Sequence, residues 1–568
     1  MAPNEKIALG NLLSRYWTCP GSTLNVGIIG SICVSIGGAA VAIATGKRML
    51  APIPLLAILG LYEIKHRNTP AAPLQSKYIT FKSKSAKKRW GGRKIPIGTL
   101  TTLFLDDEIE FNMDVLEALE SMDDFCCYMP SWPVLKFLLM QLYPNSNNSS
   151  LKDKKTTKRE IADHYDRGND FFNAFLGPRM VYTSAVFEKE DVSFCFLRAQ
   201  RPAAVAASHR HCAYLTTNQS TTAAHSLIHA STLHPPQDTL ESAQDNKMRK
   251  ICEKLRLKQG DRMLDIGCGW GTLVGYAYKH FQASATGVTL SKEGAKWSAD
   301  NNKPKVGPPF AYLYLFSRSP SSSRYVKFPI RKRAAFLLDL TRLTYACRSN
   351  VAALQKPTPG KGSVDFIVTD YRDIPDGEKF NAISSVEMAE HVGLANFQTY
   401  LNKVKTNLED DGAFYMQVAG LRKGSDWKDI AWGLFMGEYI FPGADASTPL
   451  NWYINELEQA GLEVESIENV GINYSLTLNE WYKNWMKNEH EIIKKYPSSL
   501  CRLWRLFLAW STLASRRGSA TCWMITSHKV TDKFDRSKMI AASAGQWQEA
   551  AKFARFKATA NGHSNGKR

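Results

Sequence analysis

The chain is 568 residues long, 44% apolar and 22% charged, with a formal net charge of +19 and an isoelectric point near 9.3. That length and apolar content give room for roughly two or three domains with real cores and exclude a disordered polar chain. The charge leaves an anionic membrane, nucleic acid or an acidic substrate open as partner, while 11 cysteines without Cys-x-x-Cys spacing signal neither a zinc site nor a disulfide framework and suit a reduced, cytosolic setting.

No charged side chain occurs from 19 to 46, and 24–45 is long and apolar enough to span a bilayer as a helix. A buried Gly/Ala-rich helix is the alternative. A second apolar run, 49–62, contains Pro52 and Pro54 and has the length of a short span, a re-entrant piece or an interfacial segment. Lys65, Arg67, Lys77, Lys82, Lys84, Lys87, Lys88, Arg89, Arg93 and Lys94 follow, a basic flank that belongs on the cytoplasmic side, against anionic headgroups. Residues 1–75 therefore read as a membrane anchor. The region 76–160 is basic and helical, with acidic helical-looking sequence at 106–121, an amphipathic helix at 132–142 and a polar linker at 145–158.

Two stretches differ from their surroundings. The block 192–237 has no Asp or Glu and holds His209, His211, His225, His229 and His234, whose spacing follows no helix or strand face, so no metal site is expected there. The block 303–355 has ten Lys/Arg against one acid, Asp339, and carries about half of the net charge. Both read as insertions into a domain spanning 161–535, followed by a polar tail, 536–568.

With the blocks set aside, strands and helices alternate. Strands are predicted at 263–266, 283–290, 364–369, 381–386 and 412–418, and helices at 272–278, 291–300 and 395–408. The segments 462–469 and 474–478 are predicted to pair as a closing antiparallel unit. This is the pattern of a doubly wound sheet, whose ligands sit beyond the carboxyl ends of the strands. At the first strand, Asp265 precedes Gly267, Gly269 and Gly271 and then a helix start. Glycines let a ligand approach the backbone closely, and the helix start offers free N–H groups, as a nucleotide-type cofactor requires, with an ordinary tight turn as the plain alternative.

Tyr182-Thr183, the 264–272 turn, Gly287-Val288-Thr289-Leu290-Ser291, Asp370-Tyr371-Arg372-Asp373 and Glu387-Met388-Ala389-Glu390-His391-Val392-Gly393, in that order, resemble the cyclopropane-fatty-acyl-phospholipid synthase family. The likeness runs from 161 to 528 apart from the two blocks. With the N-terminal apolar segment, Tyr439-Ile440-Phe441-Pro442-Gly443-Ala444-Asp445-Ala446 and Trp481-Tyr482-Lys483-Asn484-Trp485, the chain is similar in particular to the fungal sphingolipid methyltransferases acting at carbon 9 of the long-chain base.

The resemblance implies an α/β class I S-adenosylmethionine-dependent methyltransferase, a Rossmann-like doubly wound sheet with an N-terminal membrane anchor and a helical cap. It implies S-adenosylmethionine resting on Gly267, Gly269 and Gly271, with Tyr182, Thr183, Leu264, Ile266, Cys268, Trp270 and Thr272 around it and Asp265 near the methionine amino group. Thr289, Leu290, Ser291 and Lys292 are then expected near the ribose, and Tyr371 and Arg372 near the adenine. An alkene is a feeble nucleophile, so alignment in a dry site matters, and aromatic faces such as Tyr182, Tyr439, Phe441, Tyr474 and Trp481 can steady the cation that attack leaves.

In the family a bound bicarbonate serves as base, held by a glutamate, a cysteine, a histidine and a tyrosine. Here Glu390 and Tyr474 match, while Ser184 stands for the cysteine and Gln417 for the histidine. Both replacements still hydrogen-bond an anion. They favour a methyl branch over ring closure. His391 is expected to pack or hydrogen-bond behind Glu390, and the plain alternative for Glu390 itself is a buried acid paired with a neighbouring base. The implied substrate is a membrane sphingolipid at the endoplasmic reticulum, with the catalytic domain facing the cytosol. Cyclopropane formation on phospholipid acyl chains is the near alternative. A nucleic-acid methyltransferase is the distant one, without an aromatic-plus-basic stacking surface in its favour, and a product inactivated by the two blocks is a third.

Overall fold

The computed structural model describes residues 69–128, 164–165, 167–188, 238–302, 362–422, 427–444 and 448–539. The expected membrane segments at 24–45 and 49–62, the helix at 132–142, the linker at 145–158, both atypical blocks and the tail beyond 539 lie outside them. Among the described residues no helix is long and apolar enough to cross a membrane.

The N-terminal unit consists of strands β1 (Ile79–Phe81), β2 (Ile95–Pro96), β3 (Ile109–Phe111) and β4 (Cys126–Cys127) and helices α1 (Lys84–Trp90), α2 (Ile97–Leu105) and α3 (Val115–Glu120). Strands β1 and β3 pair antiparallel, and β2 and β4 pair parallel. The 106–121 segment is therefore not one helix. Ile109 and Phe111 are buried on alternate positions, a period-two signal inside the acidic stretch, and only Val115–Glu120 is helical, its start capped by the Asp114 carboxylate.

Helix α4 (Asn169–Leu176) and helix α5 (Leu240–Lys254) lead into the central domain. There follow β5 (Arg262–Ile266), α6 (Thr272–Phe281), β6 (Ser284–Thr289), α7 (Lys292–Asn301), β7 (Val364–Val368), β8 (Phe380–Val386), α8 (Phe397–Asn407) and β9 (Leu408–Leu421). The chain continues through α9 (Trp427–Phe435), α10 (Leu450–Gln459), β10 (Leu462–Asn469), α11 (Gly471–Ile492), α12 (Ser498–Arg516) and β11 (Ala520–Lys529).

Seven strands form one sheet in the order β10-β11-β9-β8-β5-β6-β7. All neighbours pair parallel except those involving β11, which runs antiparallel to both β9 and β10. Alternation along β5 explains the two layers. Met263 faces the side where Ala285, Ala382, Tyr415 and Met524 meet α5 and α6, whereas Leu264 and Ile266 face Ile383, Phe414 and Met416 under α8 and α10. The strand order reverses at β5, with β6 on one side and β8 on the other. A crevice opens there beyond the carboxyl ends.

The closing unit differs from expectation. Residues 474–478 lie in α11, and β10 pairs instead with β11, from Leu462 opposite Lys529 to Asn469 opposite Trp523. Leu478, Trp481, Tyr482 and Trp485 are buried at helical spacing, and this longer stripe outweighs the short alternation at 474–478. Helices α11 and α12 pack on each other and carry the N-terminal unit. Arg502, buried on α12, donates to the carbonyls of Phe104 and Ile109 and to Glu110 at 2.5–2.7 Å and lies 4.1 Å over the Phe104 ring.

Candidate active site

The crevice is lined first by the glycine turn. Gly267, Gly269 and Gly271 have φ of +86°, +54° and +71°, the region where a side chain is strained. Their surroundings separate their roles. A Cβ on Gly267 would meet Met388 at 2.5 Å and one on Gly271 would meet Phe366 at 2.3 Å, whereas one on Gly269 would point into open space. Gly269 lines the cleft, so its missing side chain leaves room for a ligand, while the other two permit packing.

Asp265, at the end of β5, is buried and accepts a 2.6 Å bond from the Ser384 hydroxyl on β8. Burial pushes its carboxyl up to about 6, against the pull of Ser384 and Lys247. At the end of β6, Thr289 Oγ1 accepts from the Ser291 N–H at 3.2 Å, and Ser291 caps α7 through the Gly294 N–H at 3.0 Å. Beyond β7, Arg372 clamps Asp370 with two 2.7 Å bonds, and the buried Tyr371 sits edge-on to Tyr400. Carboxylate, hydroxyls and aromatic ring thus succeed one another along the strand ends as an aminocarboxylate, a ribose and a base would need.

The cleft also has an aromatic wall, to which Trp270 of the glycine turn itself contributes. Tyr165, Tyr182, Trp270 and His391 line the cleft. Behind them, Phe441 lies 6.2 Å from Tyr182 and 5.8 Å from His391, and the fully buried Trp481 lies 5.4 Å from Tyr182. His164 stacks on Tyr182, and burial holds it well below the usual histidine range, so it is neutral.

Glu387, the first residue after β8, also lines the cleft. Its Oε1 accepts from Thr183 Oγ1 at 2.7 Å, from Gln417 Nε2 at 2.8 Å and from the Ser184 N–H at 3.5 Å, and the Cys522 thiol points at it from 3.5 Å. Its Oε2 accepts from the Tyr474 hydroxyl at 3.0 Å. The Lys247 ammonium, fully buried on α5, donates to Thr183 Oγ1 and so stands one hydroxyl from the carboxylate. Burial pushes Lys247 down to about 8, with Glu387 opposing.

The expected residues therefore divide. Tyr182, Thr183, Asp265, Ile266, Gly267, Cys268, Gly269, Trp270, Thr272, Thr289, Leu290, Ser291, Tyr371 and Arg372 line the cleft. Leu264 is in the core layer beneath α8, Gly271 packs on Phe366, and Lys292 starts α7 outside the lining. Ser184, Gln417 and Tyr474 do converge, but on Glu387 and not on Glu390. Glu390 is buried in a short turn behind the cleft, where it accepts the Ala419 N–H at 2.6 Å. His391 faces the cleft between Tyr165 and Phe441. Of the aromatic candidates, Tyr439 packs on Phe435 away from the lining.

Sequence reasoning gave no role to Lys247 or Tyr165, nor to Glu387, although Glu387 opens the matched 387–393 motif. Two of them carried a signal. Glu387 is the first residue beyond a strand at the point where the strand order reverses, and Lys247 falls on the 240, 243, 244, 247, 248, 251 stripe that α5 buries.

The model of the mycolic acid cyclopropane synthetase family matches residues 152–203, 212–305 and 347–525. Sphingolipid C9-methyltransferase 2 of Gibberella zeae is 35% identical over 80% of this chain and 68% of its own, and the sphingolipid C9-methyltransferase of Komagataella phaffii is 33% identical over 82% and 77%. The crystal structure of mycolic acid cyclopropane synthase CmaA1 complexed with SAH and CTAB is 18% identical, with a TM-score of 0.45 over 66% of this chain and 98% of that one. A glycine turn, an acid and a strand-end sequence fitted to S-adenosylmethionine, on a doubly wound sheet and with these matches across the whole domain, place the chain in the mycolic acid cyclopropane synthetase family, as an S-adenosylmethionine-dependent methyltransferase.

Proposed function

We propose that the chain transfers a methyl group to carbon 9 of the unsaturated long-chain base of a sphingolipid, leaving a methyl branch. The observation that carries this reading is the aromatic lining of Tyr165, Tyr182 and Trp270 in the same cleft as the glycine turn. An alkene needs such a lining. Its π face must be held against an electrophilic methyl in a site without water, and the cation that follows is eased by ring faces that cannot capture it. S-adenosylmethionine, when bound, supplies that methyl as a sulfonium.

The chain's own groups divide the remaining work. In this reading Asp265 holds the ammonium of the donor, Thr289 and Ser291 its ribose, and Tyr371 its base, and all four line the cleft. The relatives named for sphingolipid C9 methylation support the choice of lipid, since six of them are 31–35% identical over 80–87% of this chain. The apolar 24–45 segment and the basic flank after it support a membrane-held enzyme, at the endoplasmic reticulum with its catalytic domain on the cytosolic side.

Expression in a fungal strain lacking C9-methylated long-chain bases tests the reading. Restoration of the methyl-branched base in extracted glucosylceramide is the expected result. An unchanged sphingolipid profile together with new cyclopropane acyl chains in phospholipid would replace it with ring formation.

A further inference from the structure

We propose that the Glu387 carboxylate is the proton acceptor of this methyl transfer, so that the chain carries its own base and needs no bound bicarbonate. This rests on the reading above. Three observations converge on it. First, the positions matched to a bicarbonate site turn to Glu387, through the Ser184 backbone N–H, the Gln417 amide and the Tyr474 hydroxyl, and its two oxygens fill the place of a small oxyanion. Second, Glu387 has φ +50°, a strained conformation for a non-glycine residue that persists only where surrounding contacts hold it. Third, the buried Lys247 ammonium, reached through Thr183, supplies the counter-charge that an ionised Glu387 needs.

Other acids in the cleft are committed. Among the described lining residues the carboxylates are Asp265, Asp370 and Glu387. Asp265 is bonded to Ser384 at the aminocarboxylate end and Asp370 is clamped by Arg372 at the adenine end. Only Glu387 stands beside Tyr182 and Thr183, where the alkene would lie.

The step balances without another reactant. The alkene π pair forms the new carbon–carbon bond as the methyl leaves the sulfonium, and the adjacent alkene carbon becomes cationic. The hydrogen on the methylated carbon then passes as a proton to Glu387 Oε2, and its bonding pair restores the double bond. A hydrogen beside a cationic carbon is strongly acidic, so a carboxylate suffices to take it.

The test follows labelled methyl from S-adenosylmethionine into total extracted lipid, with bicarbonate and carbon dioxide stripped from the buffer. Wild-type activity should change less than twofold on stripping. Glu387→Gln should lose about 10²–10⁴-fold in turnover, while donor affinity by calorimetry stays within about threefold, as expected of a group outside the donor's own contacts. Glu387→Ala should regain at least about tenfold of its lost rate with added formate or bicarbonate, a rescue that a purely structural role would not give. A strict bicarbonate requirement of the wild type, or a Glu387→Ala variant that folds, binds donor and keeps most of its rate, would overturn the proposal. If the substrate reading alone is wrong, label enters a different lipid and the bicarbonate dependence is unchanged.

Discussion

At the scale of single residues, the site is a set of buried charges each compensated by a specific neighbour. Asp265 shows how this becomes measurable. Its carboxyl is ordinarily half-protonated near 3.8 and is pushed up to about 6 by burial. On the proposed reading the donor's ammonium pairs with the ionised form, so affinity should be full above pH 6 to 7 and fall by up to about tenfold per unit as pH drops below 6. Calorimetric titrations of S-adenosylmethionine from pH 8 to pH 5 should show that fall. In Asp265→Asn the affinity should be weaker by about tenfold or more and nearly flat over the same range; an unchanged pH profile in the variant would remove Asp265 from the donor site. Lys247 and Glu387 form the other compensated set, and it is notable that both were reachable from pattern. A lysine on the apolar stripe of an amphipathic helix is buried unless the stripe is misread, and it then needs an anion.

At the scale of elements, the turn between β5 and α6 does two jobs with three glycines. Gly271→Ala drives a methyl group into Phe366, so it should destabilise the fold by about 2–4 kcal/mol, seen as a lower midpoint in urea. Gly269→Ala meets nothing in the protein, so its cost in stability should be about 1 kcal/mol from backbone conformation alone, with a much larger loss in donor affinity. The reverse ranking would mean that the ligand does not lie over Gly269. Element identity was legible wherever periodicity ran long: β5 to β9 with α6 to α8 follow the predicted positions within a few residues. It failed where a short pattern competed with a longer one. Tyr474 and Leu478 alternate like a strand, yet the stripe continuing through Trp481 and Trp485 makes them helical, and Ile109 and Phe111 form a strand inside sequence whose acids suggested helix. The acid at the centre of the polar cluster was hidden for a related reason. A family motif points to Glu390, whereas the backbone turn after β8 brings Glu387, not Glu390, to the groups that hold an anion.

At the scale of the whole molecule, the sheet contributes the glycine turn and Asp265 to the cleft, and the segments packed on it contribute Tyr165 and Tyr182. The two meet because Glu387 and the glycine turn leave adjacent strands at the reversal of strand order. Helices α11 and α12 close the wall from behind and tie the N-terminal unit to it through Arg502. The most direct test of methyl transfer to a sphingolipid alkene uses the purified full-length protein in mixed micelles with S-adenosylmethionine and a ceramide whose long-chain base carries a double bond between carbons 8 and 9. Tandem mass spectrometry of the product should show a long-chain base heavier by one CH₂, with fragmentation placing the branch at carbon 9 and the double bond retained. A ceramide recovered unchanged while S-adenosylhomocysteine accumulates with phospholipid acyl chains, or the same mass gain with the double bond lost to a ring, would contradict it.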